Sequence, residues 1–114
     1  MLQGKRILLV EDEAIIAMML EDMVVKINGT TVGPATNLQD GMEMARSENF
    51  DAAVLDVNLG DGNSAAIADL LAGRQIPFIL ATGYGATTSN THNAPVLQKP
   101  YMLHDLEHAF SQIF

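Results

Sequence analysis

Glu11 and Asp12 follow the apolar run RILLV, Asp56 follows AAVL, Thr82 follows PFILA, and the dipeptide Lys99-Pro100 follows PVLQ. Each run has the length of a short strand, so three carboxylates, a hydroxyl and an ammonium stand where strands end. Crowded carboxylates repel one another and keep their charge best around a cation. Magnesium suits such a set: a hard ion that takes a few carboxylates, keeps several waters and leaves room for a phosphate oxygen. Asp56 could then act as a nucleophile toward a phosphoryl group, giving an aspartyl phosphate. The transferring group spreads charge over three equatorial oxygens. The cation could hold one, the Lys99 ammonium a second, and the Thr82 hydroxyl with nearby backbone amides the third.

Each piece also has an ordinary explanation. Acids after a strand often cap the next helix and favour its dipole. An aspartate there is commonly a turn residue, a Lys-Pro a surface corner, and a threonine a loop hydroxyl. What tells against chance is that all of them fall at carboxyl ends. In open α/β sheets ligands bind outside those ends, near the switch in strand order.

The elements that must hold these residues are legible. Apolar runs predict strands at 6–10, 52–55, 77–81 and 95–98, with a weaker one at 30–33. The first and the 77–81 run are nearly continuous in apolar residues, as in strands buried on both faces of a parallel sheet. Ile16, Met19, Leu20, Met23, Val24 and Ile27 repeat at helical spacing, and Gly29 is placed to cap that helix. A second helix is expected after Thr36 or Asn37, burying Leu38, Met42 and Ala45. A third runs from Asn63 or Ser64 to Ala72 with Ile67, Leu70 and Leu71 inward, and a last one covers about 102–113. Strands alternating with helices imply a doubly wound α/β fold with a five-stranded parallel sheet in the flavodoxin-like order 2-1-3-4-5. Between the fourth and fifth strands, TGYGATTSNTHNA is rich in poor helix formers, so the fourth helix is expected to be short or missing.

Composition narrows the function. With 48% apolar and 18% charged residues in 114, one globular domain spanning 1–114 is expected. The longest strongly apolar stretch, AIIAMML, is far short of the ~20 residues of a membrane helix. That length excludes a channel reading of ATGYG, and no pore helices surround the motif. No secretion signal follows Met1, and the Asn28-Gly29-Thr30 sequon is read as chance. The absence of cysteine fits a reducing cytoplasm. A net charge of -8 with scattered basic residues argues against nucleic-acid binding.

On Glu11-Asp12, Asp56, Thr82 and Lys99-Pro100, in this order and spacing, the chain resembles a CheY-like receiver domain of two-component response regulators over essentially its full length. The resemblance implies a phosphorylation-controlled signalling domain that switches partner binding. Asp12 would bind magnesium directly, Glu11 through water, Asp56 as ligand and phosphoacceptor, and Asn58 through its backbone carbonyl. A sensor histidine kinase or histidine phosphotransfer protein would be the donor, and the chain would catalyse only its own phosphorylation and dephosphorylation. A monomer or weak dimer is expected. The segments DVNLGDGNS, ATGYG and VLQKPY resemble an alphaproteobacterial variant group with a Phe-Ala-Thr-Gly-x-Tyr motif, although Leu80 replaces the phenylalanine and Gly85 stands where the final tyrosine falls. Receivers usually carry a switch aromatic three residues before the lysine, where this chain has Val96. Tyr84 in the 82–93 loop, or Tyr101, is the candidate to replace it.

Two other readings compete. A magnesium-dependent phosphatase with an aspartyl nucleophile needs an acid two residues on, where Asn58 stands and has no titrating proton. A phosphorylation-independent adaptor would not require the full site that is present. His104 and His108 are spaced for a metal but lack a third ligand, and read as a solvated helix face; His92 reads as exposed. The seven methionines, Met18, Met19 and Met23 among them, read as core fillers. Asp61-Gly62 reads as turn chemistry.

Overall fold

Strands that are apolar on both faces need cover on both sides, and the helices supply it. The computed structural model describes residues 1–60, 62–83 and 91–114. The strands β1 (Arg6–Val10), β2 (Thr30–Ala35) and β3 (Ala52–Asp56) are followed by a two-residue antiparallel pair, β4 (Asn58–Leu59) and β5 (Gly62–Asn63). Next come β6 (Phe78–Thr82) and β7 (Val96–Gln98), and the main sheet is parallel in the order β2-β1-β3-β6-β7. Counting only its five strands, this is the order expected from the sequence.

Successive residues of a strand point to opposite faces, and the strands divide accordingly. Ile7, Leu9, Val54 and Ile79 enter one core with Leu20 and Val24 of α1 (Ala14–Lys26) and Leu106 and Phe110 of α4 (Leu103–Ser111). Leu8, Val10, Leu55 and Leu80 enter the other with Ala45 of α2 (Leu38–Ser47) and Ile67 and Leu71 of α3 (Ala65–Gly73). At the start of α2 the Asn37 side chain accepts from the Asp40 N–H at 2.8 Å, the expected cap.

Three details differ from the expectations. Gly29 does close α1, donating its N–H to the Val24 carbonyl, but the left-handed residue is Asn28 at φ 71°. What requires glycine at 29 is space, since a Cβ would lie 2.8 Å from Val24 Cγ1. The methionines divide: Met23, Met42 and Met44 are partly buried and pack against the two cores, as expected, whereas Met18 is 65% and Met19 52% exposed. α1 is apolar on nearly all sides, and its inward stripe is taken by Ala17, Leu20 and Val24. The expected short or missing fourth helix falls on 82–94, of which 84–90, Tyr84 and Gly85 among them, lie outside the described residues, as does Asp61. Residues 91–95 form neither helix nor strand.

Candidate functional site

Strand register brings the predicted residues to one edge. Val10 pairs with Leu55, so Glu11 and Asp56 are level one residue further on. Asp56 pairs with Ala81, and Thr82 with Gln98, so Thr82 and then Lys99 follow in a stagger across the sheet. The Lys99 N–H donates to the Thr82 carbonyl at 2.7 Å, continuing the ladder one step past β7. The backbone alone therefore converges the carboxylates, the threonine and the lysine.

The side chains then meet. Glu11, Asp12 and Asp56 each offer a carboxylate oxygen, and these lie within 4.8 Å of one another. Glu11 is 1% exposed and Asp56 4%, while Asp12 is partly open to solvent. Lys99 Nζ lies 2.7 Å from Glu11 Oε1 and 3.3 Å from Asp56 Oδ2. Backbone donors complete the frame. The Glu13 N–H reaches Glu11 Oε2 at 3.1 Å, the Asn58 N–H Asp56 Oδ1 at 3.3 Å, and the Gly60 N–H Asp12 Oδ2 at 2.9 Å. Thr82 is buried at the end of β6, and Val96 is 49% exposed on β7.

Three carboxylates against one ammonium leave an excess of negative charge in a buried place. Burial, then the hydrogen bond and charge of Glu11, push the Asp56 carboxyl up to about 7, with Lys99 pulling the other way. Burial opposes the charge of Asp12 as well, but hydrogen bonds with Asp56 and from the Gly60 N–H hold it below the usual carboxylate range. Lys99 is likewise desolvated, yet Glu11 and Asp56 raise it above an ordinary lysine. The cluster is thus short of positive charge, and oxygen donors with one open side fit a hard divalent cation such as magnesium.

Sequence reasoning found the members of this cluster but not its internal bonds. The Glu11–Lys99 ion pair and the Gly60 contact to Asp12 carry no local signal, because each joins segments far apart in the chain. Asn58 meets Asp56 through its N–H. His92, His104 and His108 are all exposed, as expected, and His92 Nε2 lies 2.7 Å from Asp69 Oδ1.

The sequence pattern of the response regulator receiver domain matches residues 7–110. The chain is 30% identical over 112 residues to the phyllosphere-induced regulator PhyR of Methylorubrum extorquens, covering 93% of this chain but 42% of that relative. It therefore spans less than half of PhyR. The solution structure of SdrG from Sphingomonas melonis Fr1 is 40% identical, with 94% of this chain and 93% of that one covered at a TM-score of 0.84. A BeF3-activated conformation of SdrG, from Pseudomonas melonis Fr1, is 39% identical with 99% and 98% covered at 0.81.

Proposed function

This chain belongs to the response regulator receiver domain family, the signalling module of two-component systems, and from that premise we propose that Asp56 accepts a phosphoryl group and thereby switches the binding of a protein partner. The observation that carries the reading is a buried aspartate shared between two further carboxylates and a partly buried lysine, all at one sheet edge. The likeness to a protein solved in a BeF3-activated conformation supports it.

Glu11, Asp12, Asp56 and the Asn58 carbonyl are the groups that would hold magnesium. There it would neutralise charge on the phosphoryl oxygens. Asp56 attacks phosphorus of a phosphohistidine on a sensor kinase or phosphotransfer protein; the P–N bond breaks and the imidazole leaves with the electron pair. Lys99, on a flexible stem beside Asp56 Oδ2, follows the new charge of about -2. The Thr82 hydroxyl, at the end of a buried strand, donates to a phosphoryl oxygen. A water later hydrolyses the acyl phosphate, so the only reactions are on the chain itself. The altered edge around Thr82 and Lys99 then biases a pre-existing equilibrium between partner-binding states.

The test is an amide NMR titration with beryllofluoride and magnesium. Residues between Thr82 and Lys99 should shift only when both are present, and Asp56→Ala should abolish the response. A magnesium-independent response, or one that survives Asp56→Ala, would reject Asp56 as acceptor. Turnover of phosphomonoesters would favour the phosphatase instead.

A further inference from the structure

Among the described residues, the Tyr101 hydroxyl is a buried side-chain polar atom with no hydrogen-bond partner. The residue is 7% exposed and its ring packs in the core beneath α1 and α4, where phenylalanine would fill the same space without stranding a donor. Tyr101 lines a groove of about 380 Å³ together with Lys99, Glu13 and Met23, so it borders the same corner as the lysine. The hydroxyl also feels the site electrostatically. Burial first, then the charges of Glu11 and Asp56, lift its pKa above the usual tyrosine range.

The resting arrangement explains why the donor is idle. Glu11 has both oxygens served: Oε1 by Lys99 at 2.7 Å and Oε2 by the Glu13 N–H at 3.1 Å. A phosphoryl group on Asp56 changes this, because Lys99 already lies 3.3 Å from that residue and is drawn to the greater charge. Glu11, 1% exposed, then loses the Lys99 ammonium from Oε1, where water cannot freely replace that hydrogen bond.

We propose that Tyr101 is a positioning residue whose hydroxyl takes up Glu11 when Lys99 turns to the phosphorylated Asp56, so that the stranded donor becomes satisfied only in the phosphorylated form. The proposal rests on the phosphoacceptor reading above and adds a residue to its switch. It also supplies an aromatic reporter in a chain that has Val96 at the strand position.

Tyr101→Phe removes only the hydroxyl. Its melting temperature without ligands should equal or exceed that of the wild type, and its magnesium affinity should be unchanged. Its affinity for beryllofluoride in saturating magnesium should fall roughly ten- to a hundredfold, the worth of one hydrogen bond to a charged group. The chain has two tyrosines and no tryptophan, so in Tyr84→Phe the fluorescence reports Tyr101 alone and should be quenched on beryllofluoride binding as its hydroxyl meets a carboxylate. Wild-type beryllofluoride affinity in Tyr101→Phe, a lower melting temperature of that variant without ligands, or unaltered Tyr101 fluorescence would each overturn the inference while leaving the acceptor role of Asp56 standing. A wild-type protein blind to beryllofluoride would overturn both.

Discussion

Burial and the neighbouring Glu11 favour the protonated form of Asp56 over the charged one. Its folded pKa of about 7 against 3.8 has a consequence for stability. Between those values the folded chain binds more protons than the unfolded one, so stability falls as pH rises through that window. Asp12, shifted the other way, adds its stabilisation above its ordinary pKa and loses it at lower pH. In metal-free urea unfolding, the wild type should lose on the order of 2 kcal/mol between pH 4.5 and 7.5. Asp56→Asn removes the titrating group and one of three crowded charges. It should flatten this slope and be more stable than the wild type at pH 7.5 by about 1–2 kcal/mol. A wild-type midpoint that rises across the window would contradict the crowding argument.

At the scale of elements, the sequence was most legible where a local device sets the geometry. The Asn37 cap is an example: its carboxamide satisfies an N–H that α2 itself leaves free. Asn37→Ala should cost about 1 kcal/mol, read as a lower urea midpoint at unchanged slope, without altering the magnesium affinity of a site formed by other segments. Helical period located α1 as well, but it did not say which side faces the sheet. Met19 and Ile16 share the apolar period with Leu20 and Val24, yet Ala17 is the one pressed inward and Met19 is left 52% exposed. A helix with apolar residues on most sides has an ambiguous stripe, and only the position of β1 and β2 resolves it. Gly29 teaches a similar lesson, since its cause is the approach of Val24 and not its own dihedral angle.

For the whole molecule, the question is what balances the charge that folding concentrates. The net charge is -8, and three of the carboxylates are gathered within 4.8 Å. Magnesium bound only by the folded chain stabilises it by mass action, about 2.7 kcal/mol at a hundredfold excess over Kd. Calorimetry at pH 7.5 should therefore show a rise in Tm with magnesium beyond that given by sodium at equal ionic strength. At pH 5.5 the rise should shrink, because protons compete for Asp56. An equal response to both salts would mean that screening alone is at work.

The chain's residue order by itself determined the alternation of elements, the strand order and the membership of Glu11, Asp12, Asp56, Thr82 and Lys99 in one site. These are encoded locally, by apolar runs of strand length and by what type of residue ends each run. Tertiary structure alone decided how those residues answer one another. Lys99 is bound to Glu11, Gly60 steadies Asp12, and Tyr101 is buried with its hydroxyl unpartnered among the described residues. Such pairings join segments separated by tens of residues, so no spacing announces them. They exist because parallel register sets strand ends side by side and packing excludes the water that would otherwise make each group indifferent to its neighbours.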